Sequence, residues 1–493
     1  MKLRDALEGC ETIGAVPDVE ITGLDYDSRR VEPGFAFFAF PGENVDGHRF
    51  IPAAREAGAS AIVSERPRPE QDGADWVQVR HGRQALALAS LAFYDHPDRR
   101  IKIVAVTGTN GKTTTVYLID SVLRAAGYLT ARLGTIEHRI GDKAIPAINT
   151  TPESLDLVRF LAQLEGDHGS FACVESSSHA LELGRFFGFH VHAAVFTNLS
   201  QDHLDFHGDM ESYARSKRRL FEGNGAPPPK FGVINADDPV GRQFLALDGF
   251  RPLSYALDRD ADVTAANVRT GFEGLQFELR TPQGSIELHS PLLGLFNVRN
   301  LLAAAAASLA CEVDLETIRQ GLESSHGAPG RFETVREGQD FLVAVDYAHT
   351  HDALENLIQS ARQFLPKGGR ILTMFGCGGD RDRAKRALMG EVAGRLSDRV
   401  ILTSDNPRSE DPLRIMADAM VGLQRVDADC VREPDRAKAI RLAIQEARPG
   451  DIVLLAGKGH ETVQKVAGRA LPFDDREVAR EVLRELRNGR RAG

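Results

Sequence analysis

A chain of 493 residues is too long for a single core, and with 42% hydrophobic and 26% charged residues it has the balance of a water-soluble protein of roughly three domains. A formal net charge of -10 disfavours nucleic acid as a bulk partner. Five scattered cysteines, never in a Cys-x-x-Cys pair, argue against a disulfide framework or a zinc site and fit a reducing compartment.

Residues 1–98 form a first unit of short alternating segments, with apolar runs at Gly34–Phe40 and Ala61–Val63 and turns at Pro41-Gly42 and Asp46-Gly47. Its start, Met1–Ala6, lacks the apolar region and cleavage-like site of a secretory signal. The polar stretch Asp95–Asp98 is expected to be a linker. A second unit, 99–330, has apolar strand candidates at 101–107, 171–174, 193–197 and 232–235, with helical stretches between them and a loop at Ala226–Pro229, so a mainly parallel sheet is expected. Its longest apolar segment, around Leu301–Ala307, is Ala-rich and too short to span a bilayer. A third unit, 331–493, has candidate strands at 341–346, 370–375, 400–403 and 452–456 separated by helix-period segments, which predicts a Rossmann-like domain. The expected fold is therefore α/β with three domains, functional residues gathering at the carboxyl ends of the strands. The expected setting is the cytoplasm, without membrane attachment.

The strand at 101–107 runs into Gly108-Thr109-Asn110-Gly111-Lys112-Thr113-Thr114. Backbone N–H groups at a glycine turn that opens a helix point at anionic oxygens, and the helix dipole adds to them. Lys112 would sit against the β- and γ-phosphates of ATP and the Thr113 hydroxyl on Mg²⁺. Only two residues separate the glycines where four are usual, and the alternative is an ordinary tight turn between strand and helix. The strand at 171–174 leads into Glu175-Ser176-Ser177-Ser178-His179, where a carboxylate is placed to ligate Mg²⁺. The alternative is a serine cap beside a solvated glutamate. Acidic residues and histidines interleave at Asn198–Gly208, which makes His203 a candidate metal or substrate contact, and Lys217 lies on the helical stretch that follows.

These three motifs, with Gly294–Asn300, Gly330-Arg331-Phe332-Glu333 and Asp346-Tyr347-Ala348-His349-Thr350, resemble the Mur ligases of peptidoglycan synthesis, in the family's order and across all three units. The resemblance implies that ATP phosphorylates a glutamyl carboxylate of a UDP-sugar peptide and that an incoming amine displaces phosphate to form an amide. It implies two Mg²⁺ ions held by Thr113, Glu175, His203 and Lys217, with Lys217 carried as a carbamate. An unmodified, solvated lysine is the plainer alternative. Asn297, Asn300 and Asp346 resemble positions around adenosine, and Arg331 the one that reaches the phosphates. Ser28, within Asp27-Ser28-Arg29, and the stretch Asn44–His48 resemble uridine and diphosphate contacts. Asn149, Thr150, Thr151, Ser177 and Arg185 resemble contacts to the peptide-bearing end. Two departures stand out: Leu183 where such relatives often carry Gln, and His351 where Pro is common.

Gly376–Asp382, Asp405-Asn406-Pro407-Arg408 and Gly457-Lys458-Gly459-His460-Glu461 resemble the members of the family that add meso-diaminopimelate. That amino acid differs from lysine by one distal carboxylate, which an arginine grips with two parallel hydrogen bonds. Arg408 supplies the fork and Arg381 a second positive contact; Asp405, Asn406, Pro407, Gly457 and Glu461 complete the expected site. Arg408 could instead cap a loop. A lysine-adding ligase, a folylpolyglutamate synthetase and a nucleotide-gated scaffold are the competing functions. A monomer acting only on small molecules is expected.

Overall fold

The computed structural model describes residues 1–42, 45–69, 75–147 and 149–491. Asn44, one of the uridine-type positions, lies outside them. By internal packing the chain divides into two compact units. One comprises Met1–Ala266, Leu279–Ile286 and Arg299–Ser324, the other Asn267–Glu278, Glu287–Val298 and Ser325–Gly493.

The first unit opens with five strands, β1 (Thr12–Ile13), β2 (Gly23–Asp25), β3 (Phe35–Ala39), β4 (Ala61–Ser64) and β5 (Asp75–Val79), ordered β1-β5-β4-β3-β2. Successive residues of β3 serve opposite layers: Ala36 and Phe38 pack with Leu86 and Ala89, and Phe37 and Ala39 with Ala54 and Ile62. The expected strands at both positions are present. The expected linker Asp95–Asp98 is packed: Asp98 is buried and accepts hydrogen bonds from His190 N (3.0 Å) and Nδ1 (2.8 Å).

The next sheet holds β6 (Lys102–Thr107), β7 (Thr130–Leu133), β8 (Glu137–Ile140), β9 (Lys143–Pro146), β10 (Phe171–Glu175), β11 (Ala193–Phe196), β12 (Phe231–Asn235), β13 (Arg251–Ala256), β14 (Val263–Gly271), β15 (Gly274–Thr281) and β16 (Gly284–Ser290). Its order is β16-β15-β14-β13-β12-β11-β6-β10-β7-β8-β9. The middle, β13-β12-β11-β6-β10-β7, is parallel, and its inner strands β12, β11, β6 and β10 are almost wholly buried and mostly apolar, as a sheet covered on both faces requires. Register places Glu175 opposite Val106 and Phe196 opposite Thr107, so three strands end side by side.

The second unit is built on β17 (Glu333–Thr334), β18 (Leu342–Asp346), β19 (Ile371–Cys377), β20 (Arg399–Ser404), β21 (Cys430–Glu433) and β22 (Ile452–Ala456), ordered β17-β18-β22-β19-β20-β21 and parallel except for β17. Leu342, Ala344, Phe375, Leu402 and Leu454 face one layer; Val343, Val345, Met374, Ile401 and Val453 face the other. A hairpin, β23 (Val463–Val466) with β24 (Arg469–Pro472), follows. No helix among the described residues is long and apolar enough to cross a membrane.

Candidate active site

The turn after β6 needs both of its glycines. Gly108 (φ 146°) and Gly111 (φ 83°) occupy the positive-φ region, and a Cβ at either would lie 1.9 Å from Thr197 Oγ1 or 2.4 Å from Asn300 Oδ1. Gly111 caps the helix Lys112–Ala125 without a side-chain acceptor, which leaves the first-turn N–H groups to an anion. The loop after β11 fastens the turn: Thr109 N donates to Asn198 O (2.9 Å), Asn110 N to Asn198 Oδ1 (3.0 Å) and Ser200 N to Thr109 Oγ1 (3.0 Å). Lys112 Nζ folds back on the Gly108 and Thr109 carbonyls at 2.9 and 2.7 Å.

Glu175, the last residue of β10, is 1% exposed, so the solvated-glutamate alternative fails. Its carboxylate accepts from Thr113 Oγ1 (2.9 Å), Thr135 N (2.9 Å) and Thr135 Oγ1 (3.1 Å), and a Cβ at Gly134 would lie 2.1 Å from its Oε1. The serine cap is nevertheless real, since Ser177 Oγ accepts from Ala180 N at the start of helix Ser178–Glu182. Thr151 Oγ1 donates to Glu175 O (2.7 Å) and accepts from Ser177 N (3.1 Å), Thr150 Oγ1 meets Thr135 Oγ1 at 3.2 Å, and Arg185 binds Thr151 O (3.2 Å) and Glu153 (3.0 Å). Thr113, Thr150, Thr151, Glu175, Ser177 and Arg185 thus form one connected group. Ser28, in the short turn Ser28–Arg30, and Asn149 make no side-chain hydrogen bond to it among the described residues.

Hydroxyl and carboxylate oxygens suit Mg²⁺, which keeps much of its water and asks for one or two carboxylates. Among the described residues no three His, Cys, Asp or Glu side chains gather into a cage; Thr113 and Glu175 would offer a partial shell of that open kind.

Lys217 is not a solvated lysine. It lies 1% exposed in the helix Met210–Glu222, donates to Gly108 O (2.9 Å) and stands 4.4 Å from the Tyr213 ring centroid. Burial, then the Lys112 charge, holds its pKa well below the ordinary lysine range, with Asp202 opposing. His203 (φ 52°) is paired with Asp202 at 3.5 Å and edges the His179 ring at 4.8 Å. Its pKa is lowered by burial and by Lys112 and Lys217, against Asp202. No hydrogen bond joins His203 to Thr113, Glu175 or Lys217 among the described residues.

In the second unit the candidates follow β18, β19, β20 and β22. Asp346 ends β18 and accepts from Phe332 N (2.7 Å) and Ala348 N (2.8 Å); burial raises its pKa against the pull of Arg331. Arg331 stacks 5.0 Å from the Tyr347 ring centroid, and Asn297 Nδ2 donates to Leu293 O (2.9 Å). A Cβ at Gly330 would lie 2.1 Å from His460 N, so the Gly457–Glu461 loop meets that turn backbone to backbone, and Gly457 N donates to Asp346 O (3.0 Å). Asn406 Nδ2 donates to Glu461 Oε2 (2.8 Å). Arg408 (φ 53°) is anchored through Nη1 on Gly379 O (2.6 Å), next to Pro407, whose carbonyl would meet a Cβ at Gly379. Arg381 is exposed, and its Nη1 donates to the Asp380 carbonyl at 3.4 Å. His351 opens helix His351–Arg362 behind the Thr350 cap, a first-turn position where Pro is favoured but not required.

Thr135 and Tyr213 escaped the sequence reading, and Lys458 entered it only as part of the Gly457–Glu461 motif, without a role. Lys458 stands between two glycines just past an apolar strand, the signal that exposed the Gly108–Gly111 turn, whereas Thr135 follows a single glycine after a strand that carries Arg132. Tyr213, which contacts Thr109 Oγ1 at 3.2 Å, offers no such signal.

Two α/β units, one with an uncapped glycine turn beside a buried carboxylate and the other with polar loops at its strand ends, have the layout of a nucleotide-dependent ligase. The Mur ligase middle domain matches residues 106–308, the glutamate ligase domain of Mur ligases residues 330–459, and the Mur ligase family catalytic domain residues 20–94. The chain belongs to the Mur ligase family and has its three-domain α/β architecture. It is 53% identical over 465 residues, 94% of each chain, to UDP-N-acetylmuramoyl-L-alanyl-D-glutamate–2,6-diaminopimelate ligase of Solibacter usitatus. To the ligase of the same name from Geobacillus thermodenitrificans it is 47% identical over 478 residues, 96% of each. A solved structure of a ligase of that name superposes with a TM-score of 0.72 at 35% identity, covering 99% of both chains.

Proposed function

We propose that the chain joins meso-2,6-diaminopimelate to the D-glutamyl carboxylate of UDP-N-acetylmuramoyl-L-alanyl-D-glutamate at the expense of ATP, a step of peptidoglycan precursor synthesis in the cytoplasm. The near-full-length identity to ligases of that name carries the reading, and Arg408 beside Asn406 and Glu461 supports the choice of amino acid. The γ-phosphoryl group passes to the glutamyl carboxylate, giving an acyl phosphate and ADP. The amine of diaminopimelate attacks that carbonyl, loses a proton, and inorganic phosphate leaves as the amide forms.

In this reading Gly108–Thr114 cradle the phosphates and Lys112 leaves its two carbonyls for them as charge shifts. Thr113 and Glu175 would hold Mg²⁺, with His203 and a carbamylated Lys217 at a second ion; the metal supplies charge neutralisation between carboxylate and triphosphate. Asn297, Asn300 and Asp346 serve adenosine and Arg331 the phosphates. Ser28, Asn149, Thr150, Thr151, Ser177 and Arg185 serve the nucleotide-sugar peptide. Arg381, Asp405, Asn406, Pro407, Arg408, Gly457 and Glu461 serve diaminopimelate. We take 1–98, 99–330 and 331–493 as the domains of a monomer, supported by the positions of the three family matches.

The test is an amino-acid panel with mass detection of the product. Diaminopimelate is expected to be used and L-lysine poorly, because lysine leaves Arg408 without its carboxylate. Arg408→Ala is expected to raise the KM for diaminopimelate by roughly 10–100-fold, the worth of a charge-assisted hydrogen-bond pair, with the KM for ATP unmoved. Equal use of lysine by the unaltered protein would overturn the assignment.

A further inference from the structure

Lys458, in the loop after β22, has none of its surface exposed, yet its ammonium lies among oxygens. Nζ donates to Val463 O (2.7 Å), Asn406 Oδ1 (3.1 Å) and Glu461 Oε2 (3.2 Å), and Asp405 Oδ1 stands 3.8 Å away. Three donors meet three acceptors, so the buried charge is satisfied. The arrangement also fixes its neighbours. A lysine only donates, so the amide group of Asn406 must turn its oxygen to Nζ, where Lys465 N donates to it as well (2.9 Å). The Asn406 NH₂ is then forced toward Glu461 Oε2, at 2.8 Å. Oε2 is thereby taken by two donors, and Oε1 has no hydrogen bond among the described residues. Asp405 Oδ1 is likewise buried without a hydrogen-bond partner among them. The result is an oriented pair of carboxylate oxygens lacking donors, in the loops that carry Arg408.

We propose that Lys458 is a positioning residue for the incoming amino acid: by locking the Asn406 amide and one oxygen of Glu461, it presents Asp405 Oδ1 and Glu461 Oε1 to an ammonium group while Arg408 takes the adjoining carboxylate. The inference rests on the proposed function for the identity of the ligand, but its geometry is independent of it. The pKa of Glu461 supports it: burial raises it, but the hydrogen bond from Asn406 and the charge of Lys458 prevail and hold it below the usual value, so the carboxylate remains an acceptor.

Lys458→Met keeps the length of the side chain and removes charge and donors. In the full-length protein it is expected to raise the KM for diaminopimelate at least tenfold while the KM values for ATP and the UDP-sugar peptide stay within twofold. Because Glu461 loses its counter-charge, the acid limb of kcat/KM for the amino acid is expected to move to higher pH. Lys458→Arg, which keeps the charge, is expected to recover part of the affinity. If Lys458→Met does not fold by circular dichroism, Lys458→Gln is put through the same comparison, with the same expected rise in KM and shift of the acid limb. An unchanged KM and unchanged acid limb in the folded variant would overturn the proposal, as would equal loss toward all three substrates. Turnover of the unaltered protein only with a different amino acid would instead overturn the substrate assignment, and the role of Lys458 is then read from the KM of that amino acid.

Discussion

A charged amine shut away from water is costly, and Lys217 offsets that cost with one carbonyl and one aromatic face. Its lowered pKa favours the neutral amine, the form that combines with CO₂ to give a carbamate and a proton. Lys217→Ala is therefore expected to reduce turnover on the order of 100-fold, the usual loss of an electrostatic stabiliser, with partial recovery in added acetate or formate, whose oxygens replace the missing anion. Unaltered turnover would remove the lysine from the mechanism. His460 makes a second case. Burial, assisted by Arg331, brings its pKa down to about 4 against the opposing charge of Glu461. Above pH ~6.5 the ring is neutral folded or unfolded. Below it the unfolded chain binds a proton that the folded chain refuses until about pH 4, so stability falls as pH is lowered through that window. His460→Gln is expected to flatten the slope of unfolding free energy between pH 6.5 and 4 by up to ~1.4 kcal/mol per pH unit, measured by urea titration at several pH values.

Among the elements, the helix Asp475–Arg491 is tied to the sheet by its first residue. Asp475 and Arg436 are both fully buried and meet through two hydrogen bonds of 2.8 and 2.6 Å. The same guanidinium donates to Ala456 O (3.0 Å) and Ser404 O (3.3 Å), the last carbonyls of β22 and β20. Arg436→Met and Asp475→Asn are each expected to cost about 3–5 kcal/mol, since either leaves a buried group without its partner, and the urea midpoint measures it. Nothing local in the sequence links residues 39 positions apart, and the burial of Asp98 was hidden for the same reason: its partner His190 is 92 residues away. The buried parallel strands were legible because both faces are apolar, so Phe171–Val174 and Ile452–Ala456 stand out as unbroken runs. β14 to β16 were passed over. In β15 the buried positions Leu275, Phe277 and Leu279 alternate with more exposed ones, a period-two signal diluted by charged residues. The Gly108–Gly111 turn, Glu175 and the Asp405–Arg408 loop were visible because polar residues follow such runs abruptly. The orientation of Asn406 depends on Lys458 and Lys465 together, which no spacing reveals.

For the molecule as a whole, functional and folding limits need not coincide. The core of the second unit includes Leu293, 1% exposed, with Phe272 and Phe296 packed against it beside Phe332 and Phe364. Arg336 also reaches back to the Phe272 carbonyl and to Glu273. A fragment of residues 331–493 lacks these earlier apolar groups and is expected to be about 2–5 kcal/mol less stable than one of residues 267–493, by urea titration of both. Equal stability would make the earlier segments dispensable. The strand order has a consequence for how the chain is made. β22 lies between β18 and β19 although it is the last of the sheet's parallel strands to be synthesised. Until residues 452–456 leave the ribosome, β18 and β19 each keep an edge that will be paired, open to any other strand nearby. The nascent chain therefore holds two sticky seams from Cys377 to Ile452, about 75 residues of translation. A chain released before residue 452 would carry the complete strands of the middle sheet but leave β18 and β19 unpaired along those edges.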